Sequence, residues 1–308
     1  MFERIVGPLL PVALIIALGY IAGKRRRLSH ADSLLISRLI LTWIFPSLLL
    51  IGMATTPRAQ ILDYHFVAAT FVGIMGMYLL VLALGWLQLR KLDSATIKAL
   101  VCAYPDAAFM GIPILLSMFG PGSIYSVLVL NIIAALLMLP LTAMLLTLTQ
   151  GRVSGGAAFM SSLRQMLTKP LVWAPALGIA LSLLGIKVPA ILSSALDLLG
   201  KATPGVSLLC LGVIMSAVNL TMSREVIANL GLKLIAQPLL MYGATILFSV
   251  KGEFAQQMIL LCALPSATIS AMFANEAGVY RSEAATSILA GTVSSVVTFA
   301  ISIALTSS

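Results

Sequence analysis

The chain has 308 residues, of which 60% are hydrophobic and only 9% charged, with a mean hydropathy of +1.08. A soluble domain carries about a quarter charged residues, so lipid is the solvent for most of this chain. The formal net charge of +9 invites a nucleic-acid partner, but the positive residues punctuate apolar segments instead of forming one patch, and no nucleic acid is expected.

Segments of about 17 to 25 apolar residues are long enough to cross a hydrocarbon core about 30 Å thick. In chain order the candidates are Gly7 to Gly23, Leu34 to Met53, Phe66 to Leu89, Ala99 to Phe119, Ile124 to Leu148, Pro170 to Gly185, Ile191 to Val218, Ile227 to Val250, Phe254 to Ala277 and Ala284 to Leu305. The first is not a secretory signal, because its charges Lys24 to Arg27 follow the apolar run instead of preceding it. It is expected to stay as a span. Asp197 and Lys201 interrupt the seventh segment, whose first part is therefore open to lying along the interface, with only the part after Thr203-Pro204-Gly205 crossing. Cys102, Cys210 and Cys262 all fall inside segments and read as small core residues.

Numbered from the amino terminus, the odd loops and their flanks hold thirteen lysines and arginines, among them Lys24 to Arg27, Arg90, Lys91, Arg152 and Lys169. The even side holds four, Arg4, Arg58, Lys187 and Lys251. The positive-inside bias places the odd loops in the cytoplasm and both termini outside. The expected location is a plasma membrane, of the bacterial inner-membrane kind, with the lipid bilayer as partner.

The fourth and ninth segments share a motif. Leu100-Val101-Cys102-Ala103-Tyr104-Pro105-Asp106-Ala107 returns 160 residues later as Leu260-Leu261-Cys262-Ala263-Leu264-Pro265-Ser266-Ala267. Lys91 and Lys251 stand at the same offset, and Pro46 has an approximate counterpart in Pro204. A mid-span proline removes a backbone hydrogen bond that lipid cannot replace, so two matched breaks point to a protein-lined cavity. Two halves of five spans each enter the membrane with opposite orientation, since five is odd, and an inverted repeat with paired broken spans is the sequence pointer to a transporter site. The division runs 1–149 for the first repeat, 150–169 for a Gly- and Ser-rich cytoplasmic linker, and 170–308 for the second repeat. The fold class is an all-α membrane protein of ten transmembrane helices in two inverted five-helix repeats, with the fourth and ninth helices broken.

A specific run follows the first break. Pro105-Asp106-Ala107-Ala108-Phe109-Met110-Gly111-Ile112-Pro113-Ile114-Leu115 resembles the Pro-Asn-x-x-x-Met-Gly-Ile-Pro-Leu-Leu motif of the auxin efflux carrier family. Phe273-Ala274-Asn275-Glu276 is similar to the Phe-Ala-Lys-Glu after that family's second proline, and Lys169-Pro170-Leu171-Val172-Trp173-Ala174-Pro175 looks like the sixth-span entry of its bacterial malonate- or oxalate-type branch. The resemblance covers nearly the whole chain. It implies that the broken helices cross at mid-membrane. It also implies a scaffold of spans 1, 2, 6 and 7 that forms homodimers, a transport domain of spans 3–5 and 8–10, and organic anions as substrates.

The chemistry expected at the crossing rests on helix ends. Where Pro105 and Pro265 open a second half-helix, the first amides lack intrahelical acceptors and carry about half a positive charge, which suits a carboxylate. The substrate-binding candidates are Pro105, Asp106, Ala107, Ala108, Gly111, Asn131, Pro265, Ser266, Thr268 and Ser270. The family motif usually has Asn where this chain has Asp106. An ionisable residue in a membrane segment is a functional hypothesis by default, and a helix-capping role for Asp106 stays open beside it. If functional, its carboxylate beside an organic anion needs a proton or cation to offset repulsion. Asp106 is then the coupling-ion residue, and a shift of substrate preference away from anions fits equally well. Asn131 also reads as a helix-to-helix hydrogen-bonding residue. Lys233, about one and a half turns inside the eighth segment, is expected to snorkel to the interface. Gln237, Asn275 and Glu276 are weaker candidates, Glu276 with Arg281 as a possible partner.

Enzyme chemistry is not expected. The two histidines, His30 and His65, sit near segment ends, and neither a His-Glu-x-x-His pattern nor a Gly-x-x-x-x-Gly-Lys phosphate loop occurs. No cofactor or metal is implied, and transport without ATP is secondary. The reading from another class is a membrane receptor that binds an organic acid on the same fold without moving it.

Overall fold

The computed structural model describes residues 2–61, 63–149, 155–217 and 221–306. Every regular element among them is helical, and Pro105 and Ser266 form an isolated antiparallel bridge. By length and composition, five helical stretches are apolar enough to cross a membrane: Ala31–Ala54, Tyr64–Leu89, Pro121–Thr149, Ala190–Ser216 and Arg224–Leu247. The number rises to seven if the bent pairs Phe159–Gln165 with Pro170–Leu184 and Arg281–Ser295 with Val297–Ile303 each count as one. The protein is therefore a multi-pass helical membrane protein.

The fourth and ninth candidate segments are each interrupted. Leu92–Ala103 stops at Tyr104, and helix resumes with Ala107–Gly111 and Ile112–Phe119. Glu253–Ala263 stops at Leu264 and resumes at Ile269–Ala277. The cause is local: a proline's Cδ crowds the residue before it out of the helical region. Tyr104 (φ −98°, ψ 104°) and Leu264 (φ −66°, ψ 156°) are extended accordingly.

Four helical stretches contain a wider π turn, at Ile40–Ile44, Ala107–Gly111, Ala134–Met138 and Leu232–Ala236. Each ends two residues before a proline: Pro46, Pro113, Pro140 or Pro238. Proline offers no N–H and its ring pushes away the carbonyl four residues back. A register of five residues relieves that strain, as in Phe45 N–H to Ile40 O, Leu139 N–H to Ala134 O and Gln237 N–H to Leu232 O.

The seventh candidate segment runs as helices Ala190–Gly200 and Thr203–Ser216 within one apolar stretch. Asp197 and Lys201, which break its hydropathy, pair with each other across one helical turn on an exposed face. Within the stretch read as a linker, Gly155–Leu167 is helical, while Gln150 to Ser154, including Arg152, lie outside the described residues. Ala157 to Leu167 holds several good helix formers, which outweigh the Gly and Ser at its start.

The chain forms two compact units. One comprises Met1–Tyr64, Ala107–Leu128 and Thr168–Val218; the other His65–Asp106, Val129–Leu167 and Asn219–Ser308. In the first, Phe2–Lys24 lies along Thr203–Ser216 through a ridge of small residues. A Cβ on Gly19 would run into Leu209 O and one on Gly212 into Ile16 O, so the two backbones touch with no side chain between them. Gly19 and Gly23 form a Gly-x-x-x-Gly pair, the pattern that allows close helix approach in lipid. Pro170–Leu184 packs on Phe45–Ala54 in the same unit, and Cys210 is buried against Ser33 and Ser37.

In the second unit, Ile97, Val101, Leu146, Ala274 and Ala284 form one buried apolar cluster. Tyr78 and Thr142 share a buried hydroxyl hydrogen bond of 2.8 Å between two helices. Cys102 and Cys262 are free and buried there.

Candidate functional site

The two interruptions meet inside the second unit. Asp106 N–H donates to Pro265 O at 2.8 Å, and Ala267 N–H donates to Tyr104 O at 2.9 Å. The pairing is antiparallel and entirely between backbones. It gives groups freed by the two helix breaks the partners that an apolar interior demands.

Of the sequence candidates, Pro105, Asp106, Pro265 and Ser266 come together at this junction, and all are buried; Asp106 and Ser266 are each 2% exposed. Asn131 is buried and accepts a 3.2 Å hydrogen bond at Oδ1 from the Tyr104 hydroxyl, one residue from the break. Thr268, half-buried, caps Ile269–Ala277 without a side-chain hydrogen bond. Ser270, in the first turn of that helix, is 0% exposed, and its hydroxyl has no hydrogen-bond partner. Ala107 and Gly111, buried, and Ala108, half-buried, belong to the first unit. There their π turn packs on Thr203–Ser216.

Lys233 does not snorkel. It is 1% exposed, and its ammonium donates to Cys262 O at 3.0 Å and to Gln237 Oε1. Gln237, 0% exposed, passes the contact on by donating from Nε2 to Ala103 O at 2.6 Å. Ala103 ends its helix and Cys262 is the penultimate residue of the other, so both acceptors are helix-terminal carbonyls. These groups lack intrahelical partners, which is why the lysine turns inward. The expectation of snorkelling weighed only the distance to the interface and had no view of acceptors supplied by other segments.

Lys233 and Gln237 belong to a polar stripe. Glu225, Asn229, Lys233 and Gln237 recur every four residues along Arg224–Leu247. Glu225 bonds to Lys98 at 2.8 Å and accepts from the Tyr280 hydroxyl at 3.1 Å; Lys98, 1% exposed, also donates to Gln88 Oε1 at 2.9 Å. Asn229 donates to Ser287 Oγ at 3.0 Å and to Tyr280 at 3.1 Å. In an α-helix steps of four drift by about 40° each. The π turn at Leu232–Ala236 offsets part of that drift and keeps the stripe facing inward. The spacing of four was the signal that would have exposed Lys233 and Gln237 in the sequence. By contrast, Asn275 and Glu276 are exposed, and among the described residues no ion pair joins Glu276 to Arg281.

Residues 4–303 match the family model described as membrane transport protein. The chain belongs to that family. It is the family of the auxin efflux carriers that the Met-Gly-Ile-Pro motif resembles. The chain is 28% identical over 306 residues to "Uncharacterized transporter YfdV" of Escherichia coli K12, covering 97% of this chain and 96% of that one. It is 24% identical over 307 residues to "Putative malonate transporter" of Rhizobium meliloti (96% and 93% covered), and 24% identical over 273 residues to an "Uncharacterized transporter" of Methanothermobacter thermautotrophicus (87% of each). Membership in a membrane transporter family fits a chain without enzymatic activity.

Proposed function

We propose that this protein is a secondary carrier of small organic anions, mono- or dicarboxylates, with substrate held where the helices broken at Pro105 and Pro265 meet. The carrying observation is the Ser270 hydroxyl, fully buried and without a partner in the first turn of the half-helix after Pro265. A helix start carries about half a positive charge. A buried hydroxyl beside it is a donor lacking an acceptor. A carboxylate satisfies both, and the name of the Rhizobium relative makes malonate the first substrate to try.

On this reading the ten candidate segments all span the bilayer as two inverted halves, with both termini outside. Spans 3–5 and 8–10 move against a dimeric scaffold of spans 1, 2, 6 and 7 to alternate access. Asp106 sets how much negative charge the site tolerates, and a proton or cation accompanies an anionic substrate. The test is exchange of radiolabelled malonate by the purified chain in proteoliposomes loaded with malonate, against a panel of mono- and dicarboxylates, with and without a proton gradient. Exchange that carboxylates inhibit is expected. Saturable binding without exchange makes the protein a receptor, and indifference to every carboxylate removes the organic-anion reading.

A further inference from the structure

The helices ending at Ala103 and Ala263 aim their last carbonyls toward one place. Each helix C-terminus carries about half a negative charge, so the two together approach one elementary charge in a buried region. Among the described residues no carboxylate lies within ion-pair distance of Lys233. Its ammonium instead meets Cys262 O directly and Ala103 O through Gln237. One positive charge thus faces two half-charges, and the oxygen donors around it are the neutral kind that hold an alkali-metal ion elsewhere. Asp106 lies within electrostatic reach of the same ammonium.

We propose that Lys233 is the resident counter-charge of the crossing, a covalently attached substitute for a dissociable monovalent cation, so that the crossing neither needs nor binds sodium. Gln237 is its positioning partner, dividing the charge between the two helix ends. The inference extends the carrier reading to its cation requirement. Its test reads stability, so failure here leaves malonate exchange intact, and absence of malonate exchange leaves this inference intact.

The experiment compares thermal unfolding of the full chain in detergent for wild type, Lys233→Ala and Lys233→Met. Wild type should melt at the same temperature in sodium, lithium, potassium and choline chloride at equal ionic strength. Both variants should melt lower by about 10 °C, the scale expected when a buried charge network loses its central ion. Methylammonium to propylammonium, or sodium, should raise the Lys233→Ala melting point saturably, whereas Lys233→Met, which fills the space without charge, should not respond. A saturable rise of the wild-type melting point with sodium overturns the proposal. So does a Lys233→Met protein as stable as wild type, or a Lys233→Ala protein indifferent to every small cation. If neither variant can be purified folded, the wild-type salt series decides.

Discussion

Ser270 holds a hydroxyl at 0% exposure with nothing to bond, a state that costs about 1–3 kcal/mol in an apolar interior. Such a group is kept at the expense of stability. Ser270→Ala should therefore raise the melting temperature of the substrate-free protein, by the equivalent of about 1–2 kcal/mol, while lowering apparent affinity for malonate about 10-fold or more in the exchange assay. A variant less stable than wild type, or one exchanging malonate with unchanged affinity, would remove Ser270 from the site. Ser270 is a candidate from sequence because it is a polar residue at the start of the half-helix that Pro265 opens, and its burial in the first turn of Ile269–Ala277 agrees with that placement. The inward direction of Lys233 was signalled by its spacing of four from Asn229 and Gln237, but its contact with Cys262 O, and that of Gln237 with Ala103 O, were not, because main-chain atoms leave no trace in residue identity.

At the scale of elements, prolines gave away the interruptions at Tyr104 and Leu264, and also mark the π turns, although the sequence alone showed no reason to expect a wider register before Pro46, Pro140 and Pro238. The helix Gly155–Leu167 was masked by its opening glycines. The contact of Phe2–Lys24 with Thr203–Ser216 was hidden for another reason, since it pairs glycines far apart in sequence. This contact makes an internally controlled test. Gly212→Ala places a methyl group against Ile16 O and should destabilise the protein by about 1–3 kcal/mol. Gly205→Ala, on the same helix and facing open space, should be neutral or stabilising by up to about 1 kcal/mol. Equal melting shifts for the two variants would mean that the glycine ridge is not what joins these helices.

For the whole molecule, each compact unit draws chain from before and after Gln150 to Ser154. Phe2–Lys24 and Thr203–Ser216 come from opposite sides of that stretch, as do Asp106 and Pro265. Two half-chains cut there should each fail to yield a monodisperse, protease-resistant product alone. Co-expressed, they should co-purify through a tag on either one. A half-chain that is folded and monodisperse by itself would contradict this interdependence. The two hydrogen bonds between the breaks use only amides and carbonyls, those of Tyr104, Asp106, Pro265 and Ala267. A joint made this way is indifferent to the side chains it presents. Mutation can exchange Asp106 for Asn, or revise Ser266, without removing either hydrogen bond, so the joint and the side chains it displays are free to vary independently.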